Sequence, residues 1–160
     1  KLSELQSIYG NNNIEYIVSS EHAVAEALKD SDLVIGAVYV VGKKAPKIIK
    51  TEMLKSMKAG AVLVDISIDQ GGCFESSRPT THDNPTYTVD GVIHYCVTNM
   101  PGAVPLTATK ALNKSTLKYV KELANKGINK ALEDNKHLAN GLNISKGEVV
   151  HPAVKEALSS

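Results

Sequence analysis

The sequence has little of several residue types, and each shortage excludes a class of protein. It has no tryptophan and a single phenylalanine, Phe74, so its core must be built from Val, Ile, Leu and Ala. This composition favours a parallel sheet covered by helices over an aromatic-rich β-sandwich. With 18 basic and 17 acidic residues the net charge is +1, which gives no electrostatic reason to expect nucleic acid or a membrane as partner.

Cysteines, long apolar runs and leader patterns are also scarce. The two cysteines, Cys73 and Cys96, match no metal-site spacing, so we expect buried thiols in a cytoplasmic protein. No apolar run reaches membrane-spanning length, and no signal-peptide pattern occurs. The motifs G-x-G-x-x-G and the P-loop are absent as well. The chain begins without Met, inside a predicted helix, so we expect it to be the carboxyl-terminal part of a longer protein.

The most informative stretch present is the run from Gly60 to Gly72. Residues 61–64 are apolar and rich in β-branched side chains, which is typical of a strand buried on both faces. Asp65, Ser67 and Asp69 follow, at the end of the strand, where open α/β sheets bind their ligands. Two interpretations remain open: the floor of a small-molecule site, or a strand end followed by ordinary turn residues.

Alternating periodicity before this stretch predicts the fold class. Helices are predicted at residues 1–9, 21–29 and 52–58, and strands at 14–18, 33–40 and 61–64, with Ser20 as the cap of the second helix. The strand 33–40 has the pattern of burial on both faces. Helix and strand in this order predict an α/β fold: a partial, doubly wound, Rossmann-like parallel sheet that lacks its first strands.

The second half of the chain is predicted to add a hairpin and then helices. The hairpin joins strands 86–89 and 92–97 across Asp90-Gly91. Helices at 106–112, 115–124 and 128–133, a short hairpin within 142–150 and a last helix begun by Pro152 follow. We therefore divide the chain into the remainder of a Rossmann-like domain, residues 1–100, and a helical carboxyl-terminal segment, residues 101–160.

Several polar residues near strand ends have both a binding and a structural interpretation. Arg78 can hold a phosphate or carboxylate with its planar fork, but a surface ion pair with Glu75 or Asp83 is favoured. His94 lies among apolar neighbours, which favours a structural histidine over a catalytic one. Asn99 can exchange hydrogen bonds with a carboxamide, or serve the turn before the next proline.

Two surface features have similarly plain interpretations. The segment 42–50 contains Lys43, Lys44, Lys47 and Lys50, for which a solvated loop is favoured over a phosphate contact. Leu117, Val120 and Leu123 form a helical apolar stripe, for which core packing is favoured over a partner surface.

Three long runs resemble alanine dehydrogenases. They are Asp32–Val38 continued by Gly42–Lys47, Val64–Glu75 followed by Ser77–Thr81, and His94–Pro105. The runs cover most of the chain and do not depend on glycine spacing. The α subunit of nicotinamide nucleotide transhydrogenase is the alternative, but that relative usually has Glu at the position of Asp69 and lacks the run Cys73-Phe74-Glu75. The resemblance therefore favours alanine dehydrogenase.

The resemblance implies reversible oxidative deamination of L-alanine to pyruvate and ammonium, with NAD as the hydride acceptor, in a hexameric enzyme. It implies a catalytic role for Asp69 beside the nicotinamide and a contact of Lys1 at the adenosine end. The NAD-binding residues that it implies are Lys1, Ser19, Val38, Tyr39, Ile66, Ser67, Ile68, Asp69, Arg78, Val97, Thr98, Asn99 and Met100.

The resemblance also implies that parts of the enzyme lie outside this sequence. A histidine, a lysine and an arginine of a preceding substrate domain would take the amine proton and hold the substrate carboxylate. We therefore expect the chain by itself to have no dehydrogenase activity and to bind NAD weakly. A non-catalytic nucleotide-binding module and a structural oligomerisation domain are the other hypotheses, but Asp69 and the polar loop through Arg78 favour the dehydrogenase.

Overall fold

The computed structural model describes residues 1–40 and 44–159. The chain divides into two compact units. The first unit consists of residues 1–39 and 45–98. The second consists of residues 40, 44 and 99–159. Each unit is described by itself below.

The first unit contains a four-stranded sheet with the order β1-β2-β4-β3. Its elements are α1 (Leu2–Tyr9), α2 (Glu21–Asp30), β1 (Leu33–Gly36), a 3₁₀ helix (Thr51–Ser56), β2 (Val62–Asp65), a second 3₁₀ helix (Ile66–Gln70), β3 (Thr86–Val89) and β4 (Val92–Tyr95). Strand β2 runs parallel to both β1 and β4, and β3 is antiparallel to β4. The predicted α/β class with a mostly parallel sheet is confirmed, and the carboxyl ends of β1, β2 and β4 share one edge.

One face of this sheet carries the core. In register across it, Val34 of β1 pairs with Leu63 of β2, which pairs with His94 of β4. Leu28 of α2 and Leu54 of the first 3₁₀ helix pack in the same hydrophobic cluster as Leu63. Apolar side chains from a helix and a strand therefore close this face, as in a helix-covered parallel sheet.

The prediction that these strands are buried on both faces is wrong. Leu33 and Ile35, on the opposite face of β1, are 58% and 57% exposed, and Val62 and Val64 are half-buried. The cause is that α2 and the first 3₁₀ helix pack on the other side of the sheet. An apolar run predicts that a strand can be covered on both faces, but it does not say which elements cover it.

Local signals set several element boundaries as predicted. The Ser20 hydroxyl accepts from the Ala23 N–H and caps α2. The β3–β4 hairpin turns at Asp90 and Gly91, which have φ of 49° and 81°. Positive φ at both central positions defines a two-residue hairpin turn whose backbone twist matches that of the flanking strands.

Three predicted elements of the first unit have other bounds or do not form. Residues 14–18 form no strand, because no strand of the described chain lies beside them to complete a ladder. Strand β1 ends at Gly36 and not at Val40, since the Val38 N–H donates to the Ser67 side chain and leaves the ladder. The helix predicted at 52–58 is the 3₁₀ helix Thr51–Ser56, and the strand predicted to reach residue 97 ends at Tyr95.

The second unit is mainly helical. Its elements are a 3₁₀ helix (Met100–Ala103), α3 (Pro105–Lys126), α4 (Ile128–Asp134), α5 (Lys136–Ala139), β5 (Ile144–Ser145), β6 (Glu148–Val149) and α6 (Pro152–Ser159). The short hairpin and the helix begun by Pro152 are as predicted. The two helices predicted at 106–112 and 115–124 are one helix, because an interior Asn costs only about 0.7 kcal/mol of helix propensity. The apolar stripe of α3 is mostly exposed in this unit, so its assignment to core packing is wrong.

Charged side chains join α3 to α4. Lys126 lies 2.9 Å from Glu122 and 3.0 Å from Asp134, and Lys130 lies 2.9 Å from Asp134. The Asn135 side chain donates to the second carboxylate oxygen of Glu122 at 2.8 Å.

In residues 1–40 and 44–159, no helix combines the length and the apolar character needed to cross a membrane.

Candidate functional site

A cavity of about 320 Å³ lies at the carboxyl edge of β1 and β2. These parallel strands end at Gly36 and Asp65, which are paired, so the segments that follow them meet at this point. The cavity is lined by Ala37, Val38, Tyr39, Ile66, Ser67, Asp69 and Gln70. The ligand-binding edge predicted from strand direction thus contains a real concavity.

Ser67 joins the two walls of the cavity. Its hydroxyl accepts from the Val38 N–H at 2.8 Å and donates to the Val38 carbonyl at 2.8 Å. The Ser67 side chain is buried, so these bonds are shielded from water. The peptide groups on either side of Val38 are therefore held by one side chain of the opposite wall.

Asp69 stands in the exposed part of the second 3₁₀ helix and lines the same cavity. This helix ends at Gly71, whose φ of 90° requires a residue without a Cβ. The Lys47 ammonium group donates to the carbonyls of Gly71 and Gly72 at 2.6 and 2.9 Å, which secures the turn. Among the described lining residues, Asp69 alone carries a carboxylate, and it stands on a helical turn whose end is fixed by these bonds.

Two lysines of the segment 42–50 form contacts within the protein. Lys50 pairs with Glu21 at 2.7 Å, and the ammonium group of Lys47 is occupied by the two glycine carbonyls. Lys44 is exposed, whereas Gly42 and Lys43 lie outside the described residues. The solvated-loop interpretation holds for Lys44, and the other two described lysines have structural partners.

The lining of the cavity is chemically mixed. Val38 and Ile66 contribute apolar surface, and Asp69 contributes a carboxylate. The Oε1 atom of Gln70 is buried and has no hydrogen-bond partner within the described chain. Apolar walls with a few polar groups are typical of small-molecule sites, and the volume is at the lower end of their range of about 300–1,000 Å³.

Asp65 lies beneath the cavity and not in it. The side chain is fully buried, and its Oδ1 accepts from the Ser67 N–H at 3.0 Å and from the Cys73 thiol at 3.4 Å. Its Oδ2 accepts from the Cys73 N–H at 2.9 Å and from the Ser77 hydroxyl. Asp65 is thus an internal anchor, while the later polar residues of the Gly60–Gly72 stretch, Ser67, Asp69 and Gln70, reach the cavity.

Both cysteines are buried free thiols, as predicted. Burial, together with the nearby Asp65 carboxylate, raises the pKa of the Cys73 thiol to about 11. The thiol form therefore predominates at neutral pH, and Cys73 acts as a donor to Asp65. No group of three or more His, Cys, Asp or Glu side chains in the described ranges is arranged to hold a metal ion.

Arg78 does not line this cavity. Its guanidinium carbon lies 3.9 Å from the centre of the Tyr87 ring. The backbone N–H of Arg78 donates to the Tyr87 hydroxyl at 2.9 Å. Among the described residues Arg78 forms no ion pair with Glu75 or Asp83, so the favoured surface ion pair is wrong. The Glu75 carboxylate accepts from the Thr51 N–H instead. The guanidinium is exposed on an aromatic ring, where stacking leaves its N–H groups available for an anion.

His94 is a buried structural residue, as predicted. Its Nδ1 is 3.0 Å from the Val92 carbonyl, which only accepts, so Nδ1 carries the proton. Its Nε2 then accepts from the Ser76 hydroxyl at 2.7 Å, and the ring stacks on Tyr87. Burial lowers the pKa of His94, so the ring is neutral in the fold.

The remaining predicted NAD-binding residues lie elsewhere, and their roles stay predictions. Ser19 borders a second cavity of about 160 Å³ beside Lys47 and Lys50. Lys1 is exposed at the start of α1, and Ile68 and Val97 are buried. Thr98 donates its N–H to the Thr80 carbonyl, Met100 begins a 3₁₀ helix of the second unit, and Asn99 borders a cavity of about 640 Å³ in that unit.

Two residues of the 320 Å³ cavity were missed at the level of sequence, Ala37 and Gln70. Each directly adjoins a predicted residue, so position after a strand was the available signal. Alanine and glutamine carry no chemistry that singles them out from ordinary turn residues. Side-chain chemistry was therefore a poorer guide than distance from the end of the strand.

Parallel strands whose carboxyl ends open on a cavity with one acid define an α/β ligand-binding domain. The family model described as "Alanine dehydrogenase/PNT, C-terminal domain" matches residues 1–152 of the chain. The chain therefore belongs to this family, and the resemblance noted in the sequence is confirmed.

Individual relatives agree with this assignment. The alanine dehydrogenase of Halomonas elongata is 54% identical over 157 residues, which are 98% of this chain and 42% of the relative. A solved L-alanine dehydrogenase structure has a TM-score of 0.83 at 48% identity, over 99% of this chain and 43% of that one. A transhydrogenase from Sinorhizobium meliloti has a TM-score of 0.62 at 28% identity, over 84% and 36%. The chain thus spans less than half the length of these relatives.

Proposed function

We propose that this chain is the NAD-binding part of an NAD-dependent alanine dehydrogenase, which catalyses the reversible oxidative deamination of L-alanine to pyruvate and ammonium. The observation that supports this most is that Asp69 borders the same cavity as Val38, Tyr39 and Ser67. The family resemblance assigned these residues to the cofactor and Asp69 to catalysis. Their meeting at one strand edge is independent of that assignment.

The chemistry of the cavity suits the nicotinamide end of NAD. Val38 and Ile66 would pack on a flat ring, and the unpartnered Oε1 of Gln70 would accept from an amide or hydroxyl group. Ser67 would keep the Val38 backbone in place beside the ring. When bound, NAD supplies the hydride acceptor of the reaction.

Asp69 is the candidate catalytic group of this chain. Oxidation of alanine removes a hydride from Cα and a proton from the amine, and the resulting imine must then react with water. An exposed carboxylate at the edge of the cavity would relay the proton or orient the water. Proton relay requires an ionisable side chain at this position, and a charged carboxylate orients water more strongly than a neutral amide does.

The cavity by itself does not supply every group that the reaction needs. In the part of the chain that the structure describes, the lining contains no lysine, arginine or histidine, so no cation faces the substrate carboxylate. The proposal therefore includes a preceding substrate domain that provides the cation and a further base. It also includes assembly as a hexamer, which the resemblance implies.

The proposal is tested by a chimeric enzyme. The matching carboxyl-terminal part of the Halomonas elongata relative, 42% of its length, is replaced by this chain, and alanine-dependent formation of NADH is measured. We expect turnover, because 54% identity preserves most contacts with the rest of the enzyme. A folded chimera that binds NAD without oxidising alanine would refute the proposed activity.

Substitution of Asp69 makes the assay specific. Asp69→Asn keeps the size of the side chain and removes its ionisation, so we expect turnover to fall about 100-fold or more. Asp83→Asn is the matched control, because Asp83 is exposed and does not line the cavity. Turnover of Asp69→Asn close to that of the unsubstituted chimera would contradict the catalytic role.

A further inference from the structure

We infer that Asp65, which does not touch the cavity, is the positioning residue of the proposed NAD site. Its carboxylate fixes the segment that carries Ser67 and Asp69 and, through Ser67, the Val38 backbone on the opposite wall. The inference deepens the proposed function, because it concerns the same cavity. The contacts on which it rests are independent of what the cavity binds.

The hydrogen bonds of Asp65 leave it no other role. Four donors occupy its two oxygens: the N–H groups of Ser67 and Cys73, the Cys73 thiol and the Ser77 hydroxyl. The side chain is 0% exposed, so neither substrate nor water reaches it. A buried carboxylate whose four hydrogen bonds all lie inside the protein is placed to hold its neighbours in position.

A continuous chain of bonds runs from Asp65 to both walls of the cavity. Asp65 holds the Ser67 N–H, and the Ser67 hydroxyl holds the N–H and carbonyl of Val38. The bond to the Ser67 N–H also caps the 3₁₀ helix Ile66–Gln70. Since Asp69 belongs to this helix, the carboxylate that caps it also sets where Asp69 stands.

The backbone of Gly72 packs so closely against the Asp65 carboxylate that no side chain fits at that position. A Cβ built on Gly72 would lie 2.8 Å from the Asp65 Oδ2 and 2.7 Å from the Ser77 Cβ. The loop of residues 72–77 therefore folds directly against the carboxylate, which binds it through the Cys73 N–H and Ser77. One side chain thus joins both segments that follow β2.

Asp65→Asn is the sharpest substitution, because it preserves the shape of the side chain and replaces one acceptor oxygen with a donor NH₂ group. The amide NH₂ must face either the Ser67 N–H or the Cys73 N–H, and a peptide N–H cannot become an acceptor. One of these peptides therefore loses its bond. We expect the amides of Ser67, Cys73 and Val38 to lose protection, although Val38 does not contact Asp65.

The experiment measures amide hydrogen exchange by NMR on the intact chain, with rates normalised to the amide of Leu63 in β2. We expect Asp65→Asn to speed the exchange of Val38, and of Ser67 or Cys73, whichever faces the new NH₂ group, at least about tenfold beyond that of Leu63. Leu54→Ala is the control, since Leu54 is a buried core residue outside the cavity. It should speed all of these amides by the same factor.

Equal factors for Val38, Ser67, Cys73 and Leu63 in Asp65→Asn would overturn the inference, since they would show a loss of global stability only. If Asp65→Asn does not fold, Ser77→Ala decides the question. It removes one donor from the carboxylate and should raise the exchange of Ser67 and Cys73 several-fold relative to Leu63. Unchanged ratios in Ser77→Ala would overturn the inference as well.

Titration with NAD separates this inference from the proposed function. We expect NAD to shift the amides of Val38, Ser67 and Asp69 in the unsubstituted chain, and Asp65→Asn to weaken this binding at least about tenfold. Absence of shifts in the unsubstituted chain would count against the proposed cofactor, while the exchange ratios would still decide the role of Asp65. NAD binding of normal strength in a folded Asp65→Asn variant would overturn the positioning role.

Discussion

At the scale of single residues, Gly60 and Gly72 have similar positive φ angles and different surroundings. Their φ angles are 85° and 74°. Nothing lies within 4 Å of a Cβ added to Gly60, whereas one added to Gly72 would contact Ser77 and the Asp65 carboxylate. We expect Gly72→Ala to lower the free energy of unfolding by about 2–4 kcal/mol, as the sum of backbone strain and overpacking.

Urea unfolding measures this difference, and Gly60→Ala is the matched control. Gly60→Ala should cost only the backbone strain, about 1 kcal/mol. If both substitutions cost the same, the close packing of Gly72 against Asp65 contributes nothing to stability. The comparison thus isolates the packing from the conformation that the two positions share.

His94 makes stability depend on pH. Because burial lowers its pKa, the unfolded chain takes up a proton below about pH 6.5 while the folded ring remains neutral. The unfolded state then binds more protons, so the free energy of unfolding falls as the pH falls from 7 to 5, by at most about 1.4 kcal/mol per pH unit from this group. Below the lowered pKa this contribution stops growing.

Urea unfolding at a series of pH values tests the sign. His94→Gln should show a shallower loss of stability between pH 7 and 5 than the unsubstituted chain, whatever its absolute stability. His22→Gln, at an exposed position, should keep the original slope. Parallel curves for His94→Gln and the unsubstituted chain would contradict the assignment.

Asp65 at the end of β2, with Ser67 and Asp69 after it, shows what the sequence could predict at this scale. The rule that ligands bind at the ends of parallel strands placed Ser67 and Asp69 at the cavity. It did not separate them from Asp65, which points inward to Cys73 and Ser77. Partners 8 and 12 residues away along the chain decide that orientation, and no local pattern contains them.

At the scale of elements, Asn135 joins helices of the second unit. Its side-chain oxygen accepts from the N–H groups of His137 and Leu138 as the cap of α5, and its NH₂ donates to Glu122 of α3. We expect Asn135→Ala to lower the free energy of unfolding of this helical unit by about 1–2 kcal/mol. Urea unfolding followed by helical circular dichroism measures it.

Asn113→Ala is the control for Asn135→Ala and should have the opposite sign. Asn113 is exposed in the interior of α3, where alanine is the better helix former by about 0.7 kcal/mol. Equal destabilisation by both substitutions would show that the cap and the bond to Glu122 do not matter. The pair therefore separates the role of position from the chemical change.

Elements with local signals were predicted well, and elements that depend on neighbours were not. Caps, a two-residue turn and an N-terminal proline fixed α2, the β3–β4 hairpin and α6. Residues 14–18 have the composition of a strand but form none, since a strand exists only with a partner. The exposed face of β1 was mispredicted for the same reason. Burial of a strand depends on which distant elements pack on it, and the sequence of the strand does not contain that information.

At the scale of the whole molecule, similarity and cavity size support different conclusions. The match of the family model to residues 1–152 establishes the family. The cavity of about 320 Å³ is at the small end for ligand sites and would enclose a ring and its sugar, but not a dinucleotide. Affinity for the whole cofactor therefore requires surfaces beyond this cavity.

The last prediction concerns the 160-residue chain by itself. We expect no NADH when it is mixed with NAD and L-alanine, even at protein concentrations suited to a single turnover. Asp69 borders the cavity, but no cation among the described lining residues holds a carboxylate there, and effective alignment of substrate and cofactor accounts for about 7–11 kcal/mol of an enzymatic barrier. The chimera with the Halomonas elongata sequence is the positive control, because it restores the missing surfaces around the same Asp69. Clear NADH formation by the chain alone would show that the described units already assemble a complete active site.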